Sequence, residues 1–209
     1  NWSVGGAAAT RCPGVVGDVM NATDEVWAEW SVNTDRAFFT GVGAKGATTV
    51  DFDGLFSISN LVVSGADAPV YTFGTGDQYL PLRSNGDLTV ETGVVNMPVL
   101  PVNVAYGVGE GRTSPQDFTI IKNNGAGELV LSNICFVIQR PDAGSWSYHY
   151  LYLRGTGPIR FTGQYSRKSP VTGTTYTTLF DPYVSCTGGV TFDNDFGTCR
   201  HTYFDTDGV

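Results

Sequence analysis

Two histidines and a few carboxylates are the residues of this chain that could support catalysis. Nucleophilic hydrolysis requires a Ser, Cys or Thr beside a histidine that an acid orients. The chain contains only His149 and His201, and it has no Gly-x-Ser-x-Gly elbow. His149 lies inside an apolar strand pattern, and His201 follows Cys199-Arg200 near the end of the chain. The pattern favours packed or surface histidines over a catalytic base.

Two opposed carboxylates on concave strands would be enough for glycoside hydrolysis. Glu91, within an alternating strand pattern, and Glu29, beside Trp27 and Trp30, are the most plausible pair. Isolated glutamates on strands usually point to water. We therefore predict that the protein is not an enzyme. A β-sandwich glycoside hydrolase is kept as the third hypothesis, behind the two binding functions given at the end of this subsection.

The four cysteines allow three pairings if all are oxidised. Cys186 and Cys199 form the best candidate disulfide, because they flank Gly188-Gly189 and the turn-like sequence Asp193-Asn194-Asp195, which a hairpin would bring together. Cys135 lies in an apolar run that is typical of a buried free thiol. The sequence leaves the pairing open.

No spacing in the chain predicts a metal or a cofactor. Cys186, Cys199 and His201 would supply at most three zinc ligands, and no CxxC is present. The acidic doublets, such as Asp51-Phe52-Asp53, do not complete a calcium-binding loop and are typical of turns. We predict that the protein uses no cofactor and no metal.

One aromatic stripe is the main candidate for a binding surface. In a strand, Trp146, Tyr148, Tyr150 and Tyr152 would share one face, because side chains alternate with a period of two. These rings could pack as ordinary core, form a subunit interface, or provide a platform on which sugar rings stack. The sequence does not separate these three alternatives.

The elements that must position these residues are predicted to be β-strands. The chain has 27 Gly and 10 Pro, and no segment of ten or more residues keeps a convincing helical period. Residues 26–32 fit a strand, although Thr23-Asp24-Glu25 could cap a short helix. Further strands are predicted at 37–40, 48–52, 55–63, 70–73, 88–95, 118–122, 128–140, 146–154, 159–165, 174–180 and 190–192.

The expected fold is all-β, with little helix. Pro141 and Gly144 separate two long apolar strands, 128–140 and 146–154, which we expect to pair as an antiparallel hairpin at the centre of a sheet. No repeat of 20 to 50 residues is visible, which argues against a propeller or a solenoid. The prediction is one domain, 1–209, formed by an antiparallel β-barrel or β-sandwich with long decorated loops and an irregular N-terminal arm over 1–17.

The charge of the chain excludes several partners. Its formal net charge is −8, and its 12 basic residues are scattered along the sequence. Nucleic acid and anionic membranes select basic residues clustered on one face, so we expect neither partner. The longest apolar stretches are interrupted by Asn and Pro, which argues against insertion into a membrane.

These features together resemble the projecting spike of a small non-enveloped virus capsid. They are the acidity, the all-β pattern, the loops rich in Gly, Thr and Asn, the aromatic strand 146–152, and a start without Met, which suggests an excised domain. The size and acidity look most like an avian astrovirus capsid spike. No motif carries the resemblance, and no receptor-site residue is carried over.

The resemblance implies a barrel-cored domain that forms homodimers on the outer surface of the virion. Such a spike mediates attachment to host cells through a receptor or a glycan and carries antibody epitopes. The leading alternative is a secreted carbohydrate-binding module or lectin. A spike implies a symmetric dimer with binding on its loops, whereas a lectin implies aromatic rings beside Asp or Asn in a concave site.

Overall fold

A computed structural model describes residues 3–4, 7–8, 36–40, 47–50, 58–74, 79–100, 103–106, 116–132, 134–136, 148–166, 179–194 and 202–204. These residues form strands, turns and bends, and no helix occurs among them. The strands are β1 Ser3–Val4, β2 Ala7–Ala8, β3 Arg36–Thr40, β4 Thr48–Val50, β5 Ile58–Ser64, β6 Tyr71–Phe73, β7 Tyr79–Val90, β8 Asn103–Tyr106, β9 Gln116–Asn123, β10 Leu129–Leu131, β11 Ile134–Phe136, β12 Tyr148–Gly155, β13 Ile159–Phe161, β14 Tyr165–Ser166, β15 Leu179–Cys186, β16 Val190–Phe192 and β17 Tyr203–Phe204.

The largest feature is a parallel sheet of seven strands. Its order is β3-β5-β7-β9-β12-β15-β17. The order in the sheet is the order in the chain, and between each two neighbouring strands the chain forms one or two strands that belong to other sheets. Ile121 of β9 pairs with Leu153 of β12, which pairs with Val184 of β15. Each of these steps takes about 30 residues. We call the stretch of chain from one strand of this sheet to the next a circuit.

Two further parallel sheets are built from the strands in between. Strands β10, β13 and β16 pair in sequence, and bridges from Thr72 to Val99 and from Leu100 to Leu131 continue this sheet back to β6 and β4. The first residues of β7 pair with β8, which pairs with β11 and then β14. From β5 to β14, each circuit therefore contributes a strand or a bridge to three sheets, which is the connectivity of a parallel β-helix.

The three sheets enclose one apolar core. Their inward side chains include Leu88, Leu153, Leu131, Phe161 and Leu82, all fully buried. In β12 the burial alternates, with Leu151 and Leu153 buried and their neighbours Tyr150 and Tyr152 half-buried. Because the strands are parallel and in register, each apolar side chain packs on the equivalent residue of the next circuit.

The corner between the first two sheets is closed by Asn123. Its Nδ2 donates to the carbonyls of Gly127 at 2.9 Å and Pro158 at 2.7 Å, and its Oδ1 accepts a hydrogen bond from the N–H of Gly125. This fully buried side chain thus joins two successive circuits. Gly155 lies above it with a φ of 111°, in contact with the Asn123 backbone. The circuits approach closely enough here that only glycine fits.

The predicted antiparallel barrel or sandwich is wrong. Within the described residues β1 and β2 form the one antiparallel pair, the larger sheets are parallel, and no closed barrel is found. The hairpin predicted from 128–140 and 146–154 is also wrong. The described residues of its first half form two short strands, β10 and β11, in different sheets, and β12 pairs in parallel with β9 and β15. Alternating burial is the same for both pairing directions, so it could not distinguish them.

The argument against a solenoid is wrong for a related reason. The structure repeats with each circuit, but the amino acids do not. Val90, Asn123, Gly155 and Cys186 occupy equivalent corner positions on successive strands. A circuit requires apolar residues that face inward and a corner residue that allows the chain to turn. Several residue types meet each requirement, so no repeat is visible in the sequence.

Many of the predicted strand positions are confirmed. Strand β16 has the predicted bounds, and β3, β4, β5, β6 and β9 overlap their predicted ranges closely. Strand β15 begins near the end of the predicted range 174–180, and the range 159–165 divides into β13 and β14. The predicted strand at 26–32 lies outside the described residues, and two residue pairs of the predicted irregular arm form β1 and β2.

We expect Gly155→Ala to destabilise the protein more than Gly189→Ala. Both glycines have positive φ, 111° and 88°, so each alanine should cost about 1–2 kcal/mol of backbone strain. A Cβ at Gly155 would also overlap the Asn123 backbone, whereas at Gly189 no atom of the described part of the chain lies within 4 Å. Overpacking should add about 1–3 kcal/mol. Urea unfolding of the two variants measures the difference, and equal losses would contradict the close approach.

We expect Thr119→Val to stabilise the protein. Thr119 is fully buried, and its Oγ1 has no hydrogen-bond partner among the described residues. Removing this hydroxyl should raise the free energy of unfolding by about 1 kcal/mol. Thr119→Ser keeps the hydroxyl and loses a methyl group, so it should lower the free energy by about 1 kcal/mol. Chemical denaturation compares both variants with the parent, and a loss in both would show that the hydroxyl is satisfied.

Candidate functional site

The outer face of the seven-strand sheet carries a group of aromatic side chains. Alternation along β12 directs Leu151 and Leu153 into the core, so Tyr150 and Tyr152 lie on the opposite face. Phe118 of β9, Tyr183 of β15 and Tyr203 of β17 occupy the same face through the strand register. We call these five residues, Phe118, Tyr150, Tyr152, Tyr183 and Tyr203, the tyrosine face.

The rings of the tyrosine face contact one another across the strands. Tyr183 and Tyr203 are stacked, with centroids 4.4 Å apart and planes at 10°. Tyr152 lies 5.1 Å from Tyr183 in a tilted arrangement. Tyr150 meets Tyr183 edge to face at 5.5 Å, and Phe118 meets Tyr152 edge to face at 6.1 Å. The rings therefore form one continuous group across four strands.

Parallel pairing explains this arrangement. Tyr152 is directly opposite Tyr183, which is directly opposite Tyr203, so their side chains are separated by one strand spacing of about 4.8 Å. Aromatic pairs in such contact contribute about 0.5–1.5 kcal/mol beyond the area that they bury. The contacts hold each ring against its neighbours before any partner binds.

The tyrosine face is only partly covered. Phe118, Tyr150, Tyr152 and Tyr183 are half-buried, and Tyr203 is 38% exposed. Burial raises the pKa of the Tyr183 phenol above its ordinary value, and the neighbouring phenols and Asp181 act in the same direction. The hydroxyl of Tyr183 is therefore protonated and able to donate a hydrogen bond near neutral pH.

A cation borders the rings. The guanidinium carbon of Arg154 lies 4.9 Å from the centroid of the Tyr152 ring, within the range of a cation–π contact. Arg154 is exposed at the end of β12, two positions beyond Tyr152 on the same face. The face thus combines ring surfaces and phenol hydroxyls with a positive charge at its border, and such groups are suited to binding a ligand.

The structure places only part of the predicted aromatic stripe. Tyr150 and Tyr152 lie on the outer face as described. Tyr148 belongs to β12, but its side chain, like the whole of Trp146, lies outside the described residues. Phe118, Tyr183 and Tyr203 were missed, because each comes from a different circuit. Only the pairing between strands brings them together, and no local pattern in the sequence contains that information.

The predicted disulfide is not tested. The Sγ of Cys186 is buried and donates to the carbonyl of Gly157 at 3.1 Å, and burial raises the pKa of this thiol. Cys199 lies outside the described residues. The pairing of these two cysteines therefore stays a prediction.

Most of the other residues considered for chemistry lie outside the described part of the chain. Glu91 follows β7 and is half-buried, whereas Glu29 and His201 lie outside the described residues, as does the side chain of His149. Among the described residues no three His, Cys, Asp or Glu side chains are grouped as a metal site requires. Nor does that part of the chain contain a helix long and apolar enough to cross a membrane.

A second group of charged residues lies on the sheet formed by β10, β13 and β16. The Nε of Arg160 donates to both carboxylate oxygens of Asp193 at 2.9 Å, and Glu128 lies 3.9 Å from the guanidinium. Arg160 is on β13 and Asp193 follows β16, so this ion pair links neighbouring circuits. The positive charge of Arg160 is neutralised within the chain, which makes this ion pair a structural contact.

Comparison with known proteins identifies no relative. No protein-family model, no curated protein sequence and no solved structure matches the chain. The interpretation of the tyrosine face therefore depends on its geometry alone.

We expect the stability of the protein to fall as the pH rises above 10, and Tyr183→Phe to reduce that fall. Because the pKa of Tyr183 is higher in the folded state, its contribution is fully present below the ordinary tyrosine value of 10.0. It is lost as the pH rises towards the folded pKa. Urea unfolding at a series of alkaline pH values measures the slope, and identical slopes for parent and variant would contradict this assignment.

Proposed function

We propose that the protein is a non-catalytic attachment protein that binds a carbohydrate on a cell surface through the tyrosine face. The observation that carries this proposal is the continuous group of rings on the outer side of β9, β12, β15 and β17. These rings lie on the outer side of the sheet. They are not needed to fill the apolar core, because other, inward-facing residues form it.

The chemistry of tyrosine supports a sugar as the ligand. An aromatic ring offers an apolar surface to the C–H groups of a sugar, and the phenol hydroxyl can exchange hydrogen bonds with sugar hydroxyls. The half-buried rings are held by their neighbours and by the sheet, so binding would cost little conformational entropy. A flat face suits an extended glycan better than a small enclosed ligand, which requires a concave pocket.

The homodimer predicted from the sequence would use the same surface. Two tyrosine faces could cover each other, and a dimer formed in this way would compete with the glycan. Placement on the surface of a virion also stays a prediction, since the barrel implied by the spike resemblance is not what the described strands form. The proposal of attachment depends on the tyrosine face and not on that resemblance.

Glycan-array binding of three variants tests the proposal. Tyr152→Ala and Tyr183→Ala each remove one ring from the face, and we expect each to weaken binding about tenfold. Val130→Ala is the control, because Val130 is 38% exposed on the outer side of a different sheet, and it should bind like the parent. Circular dichroism and thermal melts establish that each variant is folded.

Two results would overturn the proposal. One is a folded parent protein that binds no glycan on the array, and the other is glycan binding that neither tyrosine variant weakens. Sedimentation of the parent and of Tyr150→Arg addresses the competing role of the face. A parent dimer that Tyr150→Arg converts into a folded monomer, without glycan binding in either form, would assign the tyrosine face to dimerisation.

A further inference from the structure

Two cations lie side by side next to the tyrosine face. Lys122 of β9 is directly opposite Arg154 of β12, and both alternate with buried residues, so they share the outer face with Tyr152. Arg154 is opposite Ser185 of β15, and Lys122 is opposite Thr89 of β7. The row therefore places two positive charges between two hydroxyl-bearing residues.

This pairing is unusual for the chain. The protein carries 20 acidic and only 12 basic residues, yet no acidic residue lies directly opposite Lys122 or Arg154 in the sheet. Like charges directly opposite one another on neighbouring strands destabilise a sheet. Neither Lys122 nor Arg154 forms an ion pair with any residue of the described part of the chain. Arg160, in contrast, has Asp193 as its partner.

We propose that the ligand of the tyrosine face is an acidic glycan, whose carboxylate or sulfate group binds between Lys122 and Arg154. This inference rests on the proposed function, and it adds the chemical class of the sugar. The sugar ring lies against Tyr152 and Tyr183, and its acidic group reaches the row of cations two residues further along the strands.

The geometry of the two side chains suits a single anionic group. Neighbouring strands are about 4.8 Å apart, so the oxygens of one carboxylate or sulfate can accept hydrogen bonds from both cations. Arg154 supplies a planar donor group and Lys122 a compact charge. The ring of Tyr152 already holds the guanidinium at 4.9 Å, which reduces the freedom that Arg154 would lose on binding.

The net charge of the protein favours a sparsely charged ligand over a polyanion. At −8 the chain repels a nucleic acid, which carries one charge per phosphate and requires many basic contacts. Two adjacent cations match one acidic group on an otherwise neutral glycan. The neighbouring rings add the apolar contact that the sugar requires and that a free inorganic anion cannot use.

A glycan array in which each acidic sugar stands beside its neutral parent tests the inference. The pairs are sialylated and desialylated, uronate and methyl-esterified, and sulfated and desulfated oligosaccharides. The parent protein should prefer the acidic member of at least one pair about tenfold. The sialylated and uronate pairs report a carboxylate and the sulfated pair a sulfate, and increasing salt should weaken only the preferred acidic member.

Variants locate the charge. Lys122→Gln and Arg154→Gln should each remove most of the preference for the acidic sugar and leave binding of its neutral parent within about twofold. Arg160→Gln is the matched control, since it removes one exposed positive charge from another sheet and should keep the preference. Thermal melts check that all three variants are folded.

The outcomes separate this inference from the proposed function. Glycan binding that depends on Tyr152 and Tyr183 but is equal for acidic and neutral members would overturn the inference and leave the function standing. No glycan binding would overturn both. Binding of a poly-glutamate peptide or a single-stranded oligonucleotide that requires Lys122 and Arg154, in place of an acidic glycan, would also overturn the inference.

Discussion

Parallel pairing in register is the constraint on which the rest of this structure depends. It places each residue directly beside the residue one circuit away, with both side chains on the same face. On the inner face the result is a core in which Ile121 packs against Leu153. On the outer face it is a group of rings in which Tyr152, Tyr183 and Tyr203 adjoin one another. A single backbone arrangement thus produces both the stability and the candidate binding surface.

The same constraint makes the corners demanding. Successive circuits turn at equivalent positions, so the turn of one circuit must fit on the turn of the next. Asn123 satisfies backbone groups of its own circuit and of the following one, and Gly157 lies against it with no room for a Cβ. A buried amide with three hydrogen bonds fixes the register between successive circuits. Hydrophobic contacts between similar side chains would also be satisfied in a shifted register, so they define it less precisely.

Sequence patterns predicted where strands occur far better than how they pair. The bounds of β16 and the alternation along β12 follow from local rules, because each inward residue must be apolar. The direction of pairing is set by contacts about 30 residues apart, which no local pattern records. Pro141 and Gly144 are suited to a hairpin turn, but β12 pairs instead with β9 over seven residues and with β15 over eight. The incorrect barrel and the incorrect hairpin both follow from that one misjudged pairing.

The charges at the candidate site also depend on contacts between residues that are far apart in the sequence. Counted along the chain, the basic residues are scattered, and this excluded partners that require a basic patch. Folding brings Lys122 and Arg154 together although 32 positions separate them, because that interval is one circuit of the chain. A protein that repels polyanions as a whole can therefore still present a local pair of cations. Because charges separated by more than about 10 Å are largely screened at physiological salt, an acidic group held between them would experience the pair more strongly than the net charge.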